Sequence, residues 1–61
     1  MVVHEVVNES EGRKWQVVKC GEGRYSVSYF EFYQAIGWRC LCVEENWSKG
    51  AVEFEFGVSV A

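Results

Sequence analysis

The chain has 61 residues, of which 49% are hydrophobic and 16% aromatic, and its net charge at pH 7 is −3. This length excludes a multi-domain enzyme, and the apolar content excludes a disordered chain. The aliphatic residues are eleven valines, one leucine and one isoleucine, a bias that favours β-strands over a helical bundle. We therefore predict a single domain over residues 1–61, with a core of marginal size.

The charged residues argue against nucleic acid as the default partner. All nine acidic residues are glutamates, and Arg13 and Lys14 are the only adjacent pair among the six cations. Proteins that bind nucleic acid usually carry a basic stripe that neutralises phosphates. A single-stranded nucleic-acid binder stays as an alternative, because exposed aromatic rings can stack on bases.

The termini and cysteines indicate a cytoplasmic protein. The first residues read directly into a strand rather than a signal peptide, and no apolar run approaches the roughly 18 residues of a membrane span. Three cysteines are an odd number, unlike the even disulfide set of a small secreted domain. We expect these thiols to be free and mostly buried.

The N-terminal third predicts two strands. Residues 2–7 are rich in valine, and residues 13–20 resume β character after a polar loop that ends at Gly12. The next break comes at residues 21–23, where two glycines flank a glutamate and can supply a positive φ.

Residues 25–33 could form a long strand on propensity alone, but helix signals favour a helix over 29–36. Ser28 and Glu31 fit the capping box, and Gly37 lies where a helix C-terminal glycine belongs. Apolar residues recur at helical spacing in this segment, which predicts two turns docked on a sheet. A short extra strand near residues 24–27 would precede the helix.

The C-terminal half predicts two more strands. Residues 38–44 carry apolar side chains on both faces, which is typical of a central strand covered on both sides. A turn follows at residues 45–50. Residues 51–60 alternate strictly, with Glu53 and Glu55 on the polar face and Phe54 on the apolar one, and Gly57 indicates a bulge.

The predicted fold is a small α+β domain of order ββαββ, with a four-stranded, mostly antiparallel sheet and one short helix. If the helix is absent, the alternative is a five-stranded all-β barrel of the SH3-like or OB-like kind.

No pattern indicates catalysis or a cofactor. The best metal-ligand set, whose residue types suit a structural zinc ion, would consist of His4, Cys20, Cys40 and Cys42. Cys40 and Cys42 are spaced one residue too closely for the usual zinc knuckle, and we prefer to explain them as small core residues beside Trp38. A zinc-stabilised binding module is therefore the second alternative, and a non-enzymatic protein without a cofactor is preferred.

The chain has more aromatic residues than one helix–sheet interface accommodates, because a two-turn helix covers only one sheet face. The surplus rings either cover the second sheet face as a minor core or form a docking surface for a partner. Tryptophan and tyrosine are common anchors of protein interfaces. We therefore predict a protein-interaction module, a small regulator or inhibitor of the kind that phages and mobile elements encode. It would bind another protein or a second copy of itself through an aromatic sheet face or a strand edge. The predicted partner-binding residues are Trp15, Tyr25, Trp38, Trp47, Glu53 and Glu55.

Overall fold

The computed structural model describes residues 1–60 as an open antiparallel sheet followed by a short helix. The strands are β1 Val2–Asn8, β2 Arg13–Gly21, β3 Arg24–Tyr33 and β4 Gly37–Ser48, and the helix is α1 Lys49–Phe56. The strands lie in the order β1-β2-β3-β4, each paired with the next in the chain. The prediction of a small α+β domain with four antiparallel strands and one short helix is confirmed. The predicted order ββαββ is wrong, because the helix follows the last strand.

The predicted helix over residues 29–36 is wrong, because this segment completes the central strand β3. Ser28 lies opposite Gln16 of β2 and Val43 of β4 instead of capping a helix. Aromatic and β-branched residues prefer strands, and β3 gains ladder hydrogen bonds on both sides. Two isolated helical turns offer no comparable gain. Gly37 does adopt a positive φ of 80°, but it does so at the β3–β4 turn.

The predicted strand over residues 51–60 is also wrong, since most of this segment is α1 and the chain leading out of it. The Ser48 side chain caps the helix by accepting a hydrogen bond from the Ala51 N–H at 3.1 Å. Gly57 ends the helix with a φ of 64°, and its N–H donates to the Glu53 carbonyl. Consequently Val52 is fully buried while Phe54 is 86% exposed, although strand alternation would put both on one face.

β4 is an edge strand rather than the covered central strand that its composition predicts. Leu41 and Val43 are about half exposed on it. Its pairing with β3 is interrupted between Tyr29 and Phe30, so that Phe30 lies opposite Cys40 whereas Tyr29 lies opposite Cys42. Because neighbouring residues of β3 point to opposite faces, this bulge separates the two cysteines. The three cysteines are free and exposed, so the expectation of mostly buried thiols is wrong.

The two faces of the sheet differ in what covers them. The helix-bearing face includes Val17, Tyr25 and Val27, which form the buried core together with Val52 and Val60. The open face includes the side chains that alternate with these, among them Lys14, Phe30, Phe32 and Trp38, and no helix lies against it. The helix covers one end of its face only, and the remainder of that face contains the candidate site.

Candidate functional site

An aromatic groove lies beside the helix on the helix-bearing face. It has a volume of about 350 Å³, and it brings together three of the predicted partner-binding residues, Trp15, Trp47 and Glu55. The other residues that line it are Val27, Tyr29, Cys42, Glu44 and Phe56. We call this cavity the aromatic groove.

Two aromatic pairs line the aromatic groove. Trp15 of β2 and Tyr29 of β3 are direct register partners, with ring centroids 5.1 Å apart. Trp47, at the end of β4, lies 6.2 Å from Phe56 at the end of α1. All four side chains are only partly buried. The aromatic groove therefore presents ring surface to a ligand without any rearrangement of the core.

A β-bulge in β4 aims Trp47 at the aromatic groove. Val27 pairs with Glu44 and Tyr25 pairs with Trp47, so two steps along β3 correspond to three along β4. In a regular strand, residues three apart would point to opposite faces. Asn46 takes up the extra residue with a φ of 65°, a conformation that asparagine tolerates better than most residues. The bulge thus places Glu44 and Trp47 on the same face.

The aromatic groove has an acidic rim. Glu44 of β4 and Glu55 of α1 are both exposed and both line it, whereas no lysine or arginine does so. Within residues 1–60, the only ion pair joins Lys19 Nζ to Glu22 Oε1 at 3.6 Å. Within that part of the chain, neither rim carboxylate is therefore paired with a lysine or arginine.

A second, wider cavity of about 690 Å³ continues from the aromatic groove. It shares Glu44, Trp47 and Glu55 with the groove and adds Glu45 and Phe54. Because this outer cavity also contains no basic residue, the whole depression between β4 and α1 combines aromatic rings with three glutamates.

The Tyr29 ring is held by a hydrogen bond at its outer end. Its hydroxyl donates to Glu31 Oε2 at 2.8 Å, and the Tyr33 hydroxyl donates to Glu31 Oε1 at 3.2 Å. The hydrogen bond to Glu31, the desolvation of the hydroxyl and the negative charge of Glu31 raise the pKa of Tyr29 above the usual 10.0. Tyr29 therefore stays neutral at physiological pH and keeps its ring at the groove.

The other three predicted partner-binding residues lie outside the groove. Tyr25 is 1% exposed and belongs to the core, so it offers no surface to a partner. Glu53 accepts a hydrogen bond from the Val60 N–H at 3.0 Å and so fastens the C-terminal segment to the helix. Trp38 lies on the open face, where its ring contacts Phe32 with centroids 5.4 Å apart.

The zinc candidates are not brought together. His4 lies on edge strand β1 with its ring against Phe56, whereas Cys40 and Cys42 lie on the opposite edge strand. Three strand spacings separate these edges by roughly 14 Å, far more than the roughly 2 Å bonds of a zinc site allow. Within residues 1–60, no three His, Cys, Asp or Glu side chains are close enough to hold one metal ion.

The sequence reasoning missed Tyr29, Glu44 and Phe56 as groove residues. The sequence pattern predicts a helix at Tyr29, and it predicts two different strands at Glu44 and Phe56. The available signal was Ser48, a preferred N-cap residue nine positions before Gly57, a preferred helix-ending glycine. Those two residues together mark the helix that supplies Phe56 and Glu55.

Comparison with known proteins gives no relative for this chain. No protein-family model matches it, and neither a curated protein nor a solved structure does so. Among residues 1–60, no helix has the length and apolar character needed to cross a membrane.

Proposed function

We propose that this protein is a non-enzymatic protein-interaction module, a small regulator or inhibitor that binds a partner protein in the aromatic groove. The observation that carries the proposal is the set of four partly exposed rings, from Trp15, Tyr29, Trp47 and Phe56, around one cavity. Aromatic side chains in pockets are the commonest anchors of protein interfaces. Trp15, Trp47 and Phe56 pack against the five-residue core on one side and are only partly buried, so the remaining ring surface is open to a partner.

The strand edges support binding less well than the groove does. β4 pairs irregularly at two places, and β1 shifts register between Val2 and His4. Bulges and charged residues on edge strands are common devices against pairing with another chain. Since Glu44 and Glu45 lie on β4, this edge combines both devices, and we favour the groove over β-strand addition.

The acidic rim also favours a different protein over the other candidate partners. A single-stranded nucleic acid would bring phosphates towards the unpaired carboxylates of Glu44 and Glu55. A second copy docked groove to groove would bring the same acidic rims together, and like charges across an interface are unfavourable.

Site-specific photo-crosslinking tests the proposal. A benzoylphenylalanine at position 54 replaces an exposed phenylalanine of the outer cavity, and the matched control carries it at position 36, where Ile36 is exposed at the β3–β4 turn. In a lysate of the encoding organism, we expect one discrete protein adduct from position 54 and none from position 36. An excess of unlabelled wild-type protein should abolish the adduct, whereas an excess of a folded Trp47→Ala variant should not. Equal labelling from both positions, or none from position 54, would refute the proposal.

A further inference from the structure

We infer that the aromatic groove receives a lysine or arginine side chain from a basic segment of the partner protein. This inference rests on the proposed function and names the chemistry of the partner. Three features support it: the ring geometry, the charges at the rim, and a second aromatic cluster in the same chain that is already occupied by a cation.

The rings of the aromatic groove present the surface that binds cations. Aromatic faces carry negative partial charge, and an ammonium or guanidinium group within about 6 Å of a ring centroid is attracted to them. The pairs Trp15–Tyr29 and Trp47–Phe56 come from three strands and the helix, so an inserted group meets rings from more than one direction. Several rings around one cation are the arrangement that recognises ammonium ligands.

The rim supplies carboxylates to complete this recognition. Glu44 and Glu55 line the aromatic groove, and Glu45 joins them in the outer cavity. No lysine or arginine lines either cavity, and none forms an ion pair with these glutamates within residues 1–60. A neutral or anionic partner would leave these carboxylates unpaired or repelled, whereas a basic segment would neutralise them and be steered towards the groove.

On the open face, a second cluster of aromatic rings is already occupied by a cation of this chain. There Lys14 Nζ lies 4.8 Å from the centroid of Phe30 and 4.7 Å from that of Trp38. That aromatic cluster takes its cation from the neighbouring strand of the same chain. The aromatic groove has more rings and two carboxylates at its rim, and no lysine or arginine of residues 1–60 lines it. The charge of Arg13 acts on the Tyr29 hydroxyl, but Arg13 does not line the cavity. The space among the rings therefore suits a cation supplied by another molecule.

Two-dimensional NMR of the three tryptophan indole N–H signals tests the inference. The probe is a short neutral-backbone peptide with two lysines, Ac-Gly-Lys-Gly-Lys-Gly-amide, and the control peptide carries norleucine in place of lysine. We expect the lysine peptide to shift the signals of Trp15 and Trp47, while Trp38, whose ring is already covered by Lys14, serves as the internal control. The norleucine peptide should shift none of the three.

Charge-matched variants separate local recognition from overall charge. The double variant Glu44→Gln/Glu55→Gln should weaken lysine-peptide binding by roughly 3- to 10-fold. The control double variant, Glu11→Gln/Glu22→Gln, changes the net charge equally but alters exposed residues outside both cavities, and it should bind as the wild type does. An arginine peptide that shifts Trp15 and Trp47 would also support the inference.

Three results would overturn the inference. They are equal binding of the norleucine peptide, equal weakening by the two double variants, and shifts of Trp38 as large as those of Trp15 and Trp47. If any of these occurred while the crosslink from position 54 persisted, the protein-binding function would stand and only the cationic nature of the ligand would fail. Loss of the crosslink would refute the proposed function itself.

Discussion

Replacing Val52 by alanine and replacing Phe54 by alanine should have different effects on the stability of the protein. Both residues lie on α1, yet Val52 is 0% exposed in the core and Phe54 is 86% exposed. Val52→Ala should destabilise the protein, whereas Phe54→Ala should leave its stability unchanged or slightly raised. If the segment were the alternating strand that its pattern suggests, both side chains would be buried and both substitutions would be costly.

The magnitude follows from what each substitution removes. Val52→Ala deletes two buried methyl groups, worth about 1.6 kcal/mol in transfer free energy, and the residual cavity adds to this cost. Alanine returns about 0.5 kcal/mol through its better helix propensity. We expect a net loss near 2 kcal/mol, against a total stability of roughly 3–5 kcal/mol for a domain of this size. Phe54→Ala receives a similar propensity gain and loses little buried surface, because the side chain is 86% exposed.

Urea unfolding followed by tryptophan fluorescence measures the difference. For a small domain with a slope near 1 kcal/mol per M, Val52→Ala should lower the unfolding midpoint by about 2 M. Phe54→Ala should leave it within about 0.5 M of the wild type. A loss on Phe54→Ala of 3 kcal/mol or more, the usual cost of emptying a buried phenylalanine site, would refute the position of the helix and with it one wall of the aromatic groove.

Three further predictions follow from particular residues. Ser48→Ala should cost about 1 kcal/mol in urea unfolding, because the Ala51 N–H loses its cap, while Ser48→Asp should restore most of it; equal stability of both variants would contradict the capping role. In a spectrophotometric pH titration, the raised pKa of Tyr29 should make this residue ionise above the usual pH 10, and Glu31→Gln should reduce this shift by removing the negative charge of Glu31. Since the folded pKa lies above the unfolded value, the stability from this hydrogen bond is complete below pH 10 and is lost as the pH rises through the folded pKa. Under native conditions a thiol reagent should label all three cysteines without denaturant, and protection of two or more would contradict the exposure of Cys20, Cys40 and Cys42.

The first half of the fold could be predicted from local pattern, whereas the second half could not. The sequence pattern predicts the ends of β1 and β2 to within one residue, because valine-rich runs between polar, glycine-containing loops strongly favour strands. The helix signals of Ser28, Glu31 and Gly37 were overridden, because β3 is paired on both sides and this pairing outweighs a few tenths of a kcal/mol in local preference. The alternation over residues 51–60 predicts a strand, but the capping residues Ser48 and Gly57 stabilise a helix there. In this segment the local helix signals, and not the alternation, agree with the structure.

The sequence predicts that an aromatic binding surface exists, but it does not predict where on the fold that surface lies. Surplus aromatic rings indicated an exposed binding surface, and Trp15, Trp47 and Glu55 do share one groove. The other groove residues Tyr29, Glu44 and Phe56 come from segments for which the sequence pattern predicts other elements. The bulge at Asn46, which turns Trp47 towards them, cannot be predicted from composition.

A small, β-rich α+β domain with a net negative charge and many aromatic rings can be predicted from the residues alone. These properties depend on composition and on local preference, which each residue carries wherever it lies. Long-range packing selects the segment that becomes the helix and the face that this helix covers, and it buries Tyr25 while Trp15 and Trp47 stay partly exposed. Those outcomes depend on strand pairing and register, in which a single bulge moves a side chain from one face of the sheet to the other.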